Sequence, residues 1–274
     1  MIVTRFAPSP TGYLHRGHAF SALSAHAAAC AVQGRFLLRI EDIDTTRCRP
    51  GFETAILEDL AWLGLTWETP VRCQSDHLAD YHAALARLEA DGLLYRCFRT
   101  RKEVAQTMTS APQGPLEVFC GDPLPGDEEA RRLASGEPFA WRLSLAAAKH
   151  RLGGFDALAF ADHEEPIAAR PELGGDVVLA RKDVGVAYHL AVVVDDALQG
   201  VDTVIRGRDL FEATHVQRLL QALLRLPTPA YRHHRLLLDR NGRRLAKRDH
   251  AETLRGLRER GMSAADLRRE LGFD

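Results

Sequence analysis

The first eighteen residues, MIVTRFAPSPTGYLHRGH, indicate how the rest of the chain is expected to fold. Ile2, Val3 and Phe6 form an apolar run that is long enough for a buried strand. The prolines and Gly12 that follow prevent regular structure, because proline lacks an N–H donor and glycine tolerates positive φ. An Ala- and Leu-rich helix is predicted to begin near Gly17. This strand–loop–helix unit places backbone N–H groups where an anion can bind.

A second strand is predicted at residues 35–40 (RFLLRI), after a helix over residues 18–33 with Gly34 at its C′ position. Two parallel strands joined by a helix start a doubly wound sheet, the Rossmann-type α/β fold. Glu41 directly follows the second strand, at the edge of such sheets where ligands bind.

The remaining chain is predicted to be the rest of this α/β core, interrupted by an inserted α+β subdomain and followed by a short helical tail. The expected segments are 1–96 (first half of the core), 97–174 (insertion), 175–235 (second half of the core) and 236–274 (basic loop and tail). Helices are predicted at 52–63, 76–91, 127–135, 187–198 and 212–224, and strands at 139–145, 155–160, 177–180, 201–206 and 235–238, with a turn at 241–242.

Composition narrows the classes of protein. The chain has 274 residues, is 27% charged and carries a formal net charge of −1, which argues against a sequence-blind nucleic-acid coat. The start lacks the pattern of a signal peptide, and no apolar run is long enough to span a membrane. The odd number of cysteines, 5, gives no disulfide framework. A cytoplasmic, monomeric protein that contacts no membrane is expected.

Two short motifs carry candidate chemistry. His15 and His18 flank Gly17 at the start of the first helix, where both rings can donate hydrogen bonds to phosphate oxygens while the glycine admits a close ligand. A basic loop at 243–248 (RRLAKR) places Lys247 where it can act as a point charge on a triphosphate. Taken singly, each motif is also compatible with histidines that cap a helix, or with a solvated basic loop.

Five segments in this order, RFAPSPTGYLHRGH, RIEDID, DVVLARKD with YHLAVVVDD, VIRGRDL and RRLAKRD, resemble the glutamyl branch of the class I aminoacyl-tRNA synthetases. In that family the first segment carries the HIGH signature and the last the KMSKS signature. Here Arg244 and Ala246 replace a lysine and the serine of the latter, whereas Lys247 remains. The resemblance implies that L-glutamate and ATP are substrates, with Mg²⁺ as a helper ion.

The resemblance also implies the site residues. The glutamate pocket maps to a set that supplies two guanidinium groups for carboxylates, one carboxylate for the ammonium group, and neutral donors: Arg5, Phe6, Ala7, Pro8, Ser9, Glu41, Tyr188 and Arg206. ATP is expected at His15, Gly17, His18 and Lys247, and the catalytic residues are expected to be His15, His18 and Lys247. Asp42, Asp44 and Arg47 are expected to support the pocket without assigned roles. Glu41 as a surface acid and Arg206 as a sheet-edge ion pair stay open as alternatives.

Two departures from the family refine the expected function. Cys97 and Cys120 occupy two positions of a four-ligand zinc site, but Arg99 and Leu116 stand at the others, so no zinc is expected. The chain ends at Asp274, soon after the basic loop, without room for a helical anticodon-binding domain. It is therefore expected to belong to the short branch, which joins glutamate to the queuosine base in the anticodon of tRNA(Asp).

Two other functions stay open. One is a truncated glutamyl-tRNA synthetase that charges a tRNA 3′ end. The other is a paralogue that binds tRNA or a nucleotide without catalysis, against which the retained Arg5, Glu41, Arg206 and Lys247 argue.

Overall fold

The computed structural model describes residues 1–100, 102–105, 118–181, 185–237 and 252–273. The strands are β1 (Val3–Phe6), β2 (Arg35–Ile40), β3 (Arg72–Cys73), β4 (Leu94–Cys97), β5 (Ala140–Leu143), β6 (Ala159–Asp162), β7 (Glu165–Ala168), β8 (Val178–Arg181), β9 (Gly185–Val186), β10 (Thr203–Gly207) and β11 (Ala230–His234). The main helices are α1 (Arg16–Cys30), α2 (Pro50–Trp62), α3 (Leu78–Ala90), α4 (Gly126–Ala134), α5 (Leu145–Leu152), α6 (Tyr188–Leu198), α7 (Phe211–Leu224), α8 (Leu254–Glu259) and α9 (Ala264–Leu271).

The central sheet consists of parallel strands whose order in the chain reverses next to β1. β1 pairs with β2 and β2 with β3, while β10 pairs with β11, all in parallel. Asp202 joins the two halves: its backbone N–H donates to the carbonyl oxygen of Val3 at 3.2 Å, and its carboxylate accepts from the N–H of Val3 at 3.0 Å. The hydrogen-bonded sets β1-β2-β3 and β10-β11 therefore meet at β1 and β10, and the strand order reverses at this junction. This reversal is the point at which doubly wound sheets bind ligands.

Alternating side chains of β2 separate two apolar cores. Phe36, Leu38 and Ile40 pack with α1, α2 and the tail helices α8 and α9, whereas Leu37 packs with α3, α6 and α7 on the other face. Arg39 lies on the second face and is fully buried. Within the described residues, no helix is long and apolar enough to cross a membrane.

The doubly wound parallel sheet is confirmed, with local corrections. Gly34 is not the C′ residue of α1, which ends at Cys30 with Ala31 as its C-cap. A Cβ at position 34 would lie 2.3 Å from the carbonyl oxygen of Ile2, so this glycine permits a close approach between two chain segments. The last strand is β11 rather than residues 235–238, of which 235–237 are irregular. The predicted turn at 241–242 lies outside the described residues.

The region predicted as an insertion is shared between two sheets. β5 pairs antiparallel with β4 and β8, and β8 pairs with β9. β6 and β7 form a hairpin that instead joins the central sheet through a bridge between Asp162 and Tyr231 of β11. Helix α5 was not predicted, and the strand expected at 155–160 begins only at Ala159. The domain boundaries themselves stay a prediction.

A buried carboxylate ties this region together. Asp176 is 3% exposed, and its oxygens accept hydrogen bonds from the hydroxyl of Tyr95 at 2.8 Å, the N–H of Gly121 at 2.8 Å and the N–H of Leu145 at 2.9 Å. These donors come from β4, the segment before α4, and the start of α5. One side chain thus fixes three separate segments.

Replacing Asp176 with asparagine should lower the free energy of unfolding by about 2–4 kcal/mol, because the new amide directs N–H donors at groups that are themselves donors. Urea denaturation measures this change. Asp122→Asn, at an exposed position two residues from Cys120, is the control. Equal midpoints for both variants would show that the carboxylate does not hold these segments.

Candidate functional site

The carboxyl ends of the central strands surround a cavity of ≈ 430 Å³, called here the strand-end cavity. The loop after β1 and Glu41 after β2 form one side, and the ends of β10 and β11 form the other. All predicted glutamate and ATP residues that the structure describes line it, namely Arg5, Phe6, Ala7, Pro8, Ser9, His15, Gly17, His18, Glu41, Tyr188 and Arg206. Their chemical roles stay predictions, but their placement in one cavity does not depend on any family.

Lys247 lies outside the described residues. The described segments on both sides of its loop lie at this cavity or beside it. Residues 234–237 line the cavity. Beyond the loop, Thr253 forms a bridge with His15, and the N–H of Leu254 donates to the carbonyl oxygen of Leu14 at 2.8 Å. Both described neighbours of the basic loop are therefore attached near the start of α1.

His15 and His18 cap helix α1. Nδ1 of His15 accepts from the N–H of Gly17 at 3.1 Å, and Nδ1 of His18 accepts from the N–H of His15 at 3.2 Å. Because both Nδ1 atoms act as acceptors, the ring protons are assigned to Nε2. The cap and the cavity wall are thus made by the same two rings, so the capping interpretation and the ligand interpretation do not exclude each other.

Arg206 on β10 lines the cavity and is held by three neighbouring side chains. Its Nε donates to Nε2 of His233 at 3.2 Å, and its Nη2 donates to Thr214 at 2.7 Å and to Gln217 at 2.8 Å. Its Nη1 is buried and has no hydrogen-bond partner in the described part of the chain. A buried cationic donor without a partner is costly unless a ligand satisfies it, which suits a carboxylate.

The orientation of His233 follows from its protonation. Burial, with a further contribution from Arg206, lowers the pKa of His233 to about 4, so the ring is neutral at pH 7. Since Nε2 accepts from Arg206, the proton sits on Nδ1 and is donated to Asp162 at 3.1 Å. The contact with Asp162 is therefore a hydrogen bond rather than an ion pair. A residue of β6 fixes the ring that fixes Arg206.

Arg5 on β1 is also held by a buried carboxylate. Its Nε and Nη2 donate to the two oxygens of Asp196 at 3.1 and 3.4 Å. Arg39 donates to Asp196 through Nη1 at 2.8 Å and to Glu41 through Nη2 at 3.3 Å. The four side chains form a buried chain of alternating charge from Arg5 to Glu41, and both ends line the cavity.

The pKa values of the two carboxylates in this network, Glu41 and Asp196, are shifted in opposite directions. Burial raises the pKa of Glu41 above its usual value, and the attraction of Arg39 and Arg5 does not fully offset it. Burial alone would also raise the pKa of Asp196, but Arg5 and Arg39 together hold it below its usual value. The single 3.3 Å contact to Arg39 explains why Glu41 is the less stabilised anion, although Arg39 itself has its pKa raised by three carboxylates. Glu41 therefore has most to gain from a bound cation.

A second cavity of ≈ 740 Å³, called here the outer cavity, adjoins the first and shares Ser9, Glu41 and Tyr188 with it. Its remaining wall includes four guanidinium groups and two aromatic rings among smaller polar and apolar side chains, namely Arg47, Arg99, Arg142, Arg181, Phe98 and Phe139. The rings of Phe98 and Phe139 are 5.6 Å apart. Apart from Arg47, the residues of this wall were not predicted from the sequence, because they come from strands and loops far apart in the chain.

Of the three predicted supporting residues, Asp44 and Arg47 line the outer cavity, whereas Asp42 lines neither cavity. Asp42 accepts from the N–H and the hydroxyl of Ser75, at 2.8 and 2.6 Å. Asp44 pairs with Arg47 at 2.5 Å, and both line the outer cavity. Asp42 therefore anchors the loop after β2, while Asp44 and Arg47 form part of a wall.

The two cysteines of the degenerate zinc motif differ in exposure. Cys97 is buried and Cys120 is exposed, and both are free thiols. Among the residues that the structure describes, no group of three or more His, Cys, Asp or Glu side chains could hold a metal ion. Leu116 lies outside those residues, and the expectation that zinc is absent stays a prediction.

Comparison with known proteins gives one family match and relatives that cover nearly the whole chain. The family described as "tRNA synthetases class I (E and Q), catalytic domain" matches residues 1–269. A Rhodobacter capsulatus protein named glutamyl-Q tRNA(Asp) synthetase is 48% identical, over 99% of this chain and 100% of its own length. A protein of the same name from Nocardia farcinica is 46% identical, over 94% of this chain and 80% of its own length.

Solved structures support the fold. The glutamate tRNA ligase of Elizabethkingia meningosepticum, crystallised in complex with its amino acid, superposes with a TM-score of 0.76 at 26% identity. The glutamate-tRNA synthetase of Elizabethkingia anophelis gives 0.77, also at 26% identity. The match covers 95% of this chain but 53% and 54% of those chains, so this chain corresponds to about half of each.

Proposed function

The chain belongs to the class I tRNA synthetases for glutamate and glutamine, and from that premise we propose that it activates L-glutamate with ATP and transfers it to the queuosine base in the anticodon of tRNA(Asp). The names of the relatives at 48% and 46% identity support the acceptor. The observation that carries the first step is the strand-end cavity, which joins Arg5, Glu41 and Arg206 to the capped start of α1.

The charges of the cavity match those of glutamate. Two carboxylates and one ammonium group require two cations and one anion, and Arg206, Arg5 and Glu41 supply them. The unpartnered Nη1 of Arg206 is a carboxylate donor, and the high pKa of Glu41 falls when an ammonium group approaches. Tyr188 and Ser9 add neutral hydrogen-bonding groups at the boundary with the outer cavity.

ATP is proposed to lie along the start of α1. Gly17 and the Nε2–H groups of His15 and His18 would bind its phosphates together with the positive end of the helix. A carboxylate oxygen of glutamate attacks the α-phosphorus, the bond to pyrophosphate breaks, and glutamyl-adenylate remains. No side-chain nucleophile is needed, since positioning and charge stabilisation lower the barrier. Mg²⁺ would be bound chiefly by the triphosphate, and no described residue is assigned to it.

The outer cavity is the proposed approach for the acceptor base. Arginine and aromatic side chains together suit single-stranded nucleic acid, because guanidinium groups neutralise phosphates and rings stack on bases. Ser9, Glu41 and Tyr188 belong to both cavities, so an activated carboxyl group in one can meet an acceptor from the other. Attack by the acceptor forms the new bond to glutamate and releases AMP.

One assay series separates this function from the two alternatives. Glutamate-dependent ATP–pyrophosphate exchange is measured with and without tRNA, followed by transfer of labelled glutamate to queuosine-bearing tRNA(Asp). The same tRNA without queuosine and tRNA(Glu) are the controls. Label on the queuosine-bearing tRNA alone supports the proposal. Label on a 3′ end indicates a synthetase of the usual kind, and absence of exchange under all conditions indicates a binding paralogue.

Replacing Lys247 with alanine should slow pyrophosphate exchange by about 2–4 kcal/mol of barrier, roughly 30- to 1000-fold, if its ammonium group stabilises charge on the phosphates. Arg248→Ala, the neighbouring cation, is the matched control and should cost much less. An unchanged exchange rate for Lys247→Ala would remove this lysine from the mechanism.

Replacing Phe98 with alanine should lower transfer to tRNA about 5- to 150-fold while leaving pyrophosphate exchange within about twofold, because one base-stacking surface is lost and the strand-end cavity is untouched. Trp141→Ala is the control: its ring contacts Phe139 at 5.5 Å but does not line the outer cavity. A parallel loss of exchange and transfer would contradict a role confined to the acceptor.

A further inference from the structure

Asp195 and Asp196 are two buried acids at the end of an otherwise apolar helix, and their contacts differ. Asp195 accepts from Arg72 at 2.7 Å, from the amide of Gln74 at 2.8 Å and from the hydroxyl of Tyr81 at 2.9 Å. None of these hydrogen bonds involves Arg5 or Arg206, and together they tie α6 to β3 and α3. Asp195 also forms an ion pair with Nε of Arg39 at 3.6 Å, which is too long for a hydrogen bond and does not hold the guanidinium in a fixed plane. Asp195 is therefore a structural acid.

Asp196 faces the other way. Both of its oxygens accept from Arg5, and one also accepts from Arg39, although Asp196 itself lines neither cavity. Its bidentate contact occupies the Nε and Nη2 edge of Arg5. Without this contact, rotation about the bonds of the long arginine side chain would allow the guanidinium several orientations. Arg5 is 4% exposed, so no solvent shell competes with the carboxylate.

Arg39 links Asp196 to Glu41. Its Nη1 donates to Asp196 and to Gln199, at 2.8 and 2.9 Å, and its Nη2 contacts Glu41 at 3.3 Å. Arg39 is fully buried within β2 and cannot reach a ligand. It therefore transmits the position of Asp196 to the cavity acid, as the side chain of Arg5 does to the cavity cation.

We infer that Asp196 is a positioning residue for amino-acid recognition, which sets the separation and orientation of Arg5 and Glu41 through its contacts with Arg5 and Arg39. The inference rests on the proposed function for the identity of the amino acid. It goes beyond that function in assigning the recognition geometry to a residue that touches no substrate. A bidentate carboxylate holds a guanidinium in one plane, which neutral acceptors do less strongly.

Kinetics on a matched pair of variants test the inference. Asp196→Asn should raise the KM for glutamate about 10- to 100-fold in pyrophosphate exchange, with kcat and the KM for ATP within about threefold of the parent chain. Asp195→Asn, on the same helix and also buried, should lower the thermal midpoint but leave the KM for glutamate within about threefold. Equal increases in that KM for both variants, or none for Asp196→Asn, would overturn the inference.

A structural measurement keeps the test independent of the proposed function. In a ligand-free crystal structure of Asp196→Asn, the guanidinium of Arg5 should leave its place relative to β1, whereas in Asp195→Asn it should stay. Should the asparagine variant fail to fold, Asp196→Glu keeps the buried charge beside Arg39 and displaces the carboxylate from Arg5. An unmoved Arg5 overturns the positioning role even if the parent chain does not activate glutamate, and that absence of activation by itself overturns only the proposed function.

Discussion

Replacing Arg206 with lysine is expected to lower kcat/KM for glutamate about a thousandfold in pyrophosphate exchange, equivalent to about 4 kcal/mol. Lysine keeps the positive charge but has neither the planar fork nor the reach of two separate N–H edges. Nε and Nη2 of Arg206 are already used by His233, Thr214 and Gln217, whereas Nη1 is buried without a hydrogen-bond partner in the described chain. A single ammonium group cannot satisfy both the protein acceptors and a substrate carboxylate.

The control for this prediction is two residues away. Arg208→Lys lies at an exposed position that does not line the cavity, and it should change kcat/KM less than twofold. Thermal unfolding of Arg206→Lys with and without glutamate separates loss of fold from loss of binding. A variant that unfolds at the parent temperature and still gains stability from glutamate would show that Arg206 does not hold a substrate carboxylate.

The parts of the fold that were predicted from sequence are those in which local pattern and burial agree. The apolar run RFLLRI predicted β2 with its observed bounds, because every residue after Arg35 is buried on one face or the other. The strand expected at 235–238 failed for the opposite reason. Three consecutive leucines suggest a strand, but the parallel partner of β10 is Ala230–His234, whose sequence is polar and contains two histidines.

The polar contacts behind the site could not be predicted, because they join residues far apart in the chain. Arg39 looks like an ordinary charge at a strand end, and only the return of the chain at α6 places Asp196 beside it, 157 residues later. The signal that was present is an acid pair closing the apolar run YHLAVVV, since charged residues on a buried helix must be paired. His233 gave no such signal, since its partner Asp162 lies in the inserted region.

Replacing Glu41 with glutamine should raise the KM for glutamate roughly a hundredfold, about 3 kcal/mol, because the amide cannot pair with the α-ammonium group. The free energy of unfolding should not fall by a comparable amount. Burial raises the pKa of Glu41, so the folded chain binds a proton on this group more tightly than the unfolded chain does. The ionised form therefore lowers stability, and a neutral isostere removes that cost.

The pH dependence of stability distinguishes the loss of a substrate contact at Glu41 from the loss of a structural contact. The contribution of Glu41 to the free energy of unfolding is complete below its ordinary pKa, near 4.5, and is lost as the pH rises through the higher folded value. Glutamine does not titrate, so the stability of Glu41→Gln relative to the parent chain should increase between pH 4.5 and 7.5. Asp44→Asn, at an acid paired with Arg47 on the same loop, is the control for stability and for KM.

Since glutamate needs the ionised carboxylate, the KM of the parent chain should also rise as the pH falls toward the folded pKa, while that of Glu41→Gln stays flat. A variant that loses stability at pH 7.5 and keeps the parent KM would make Glu41 a partner of Arg39 alone, and would leave the ammonium group of the substrate without its anion.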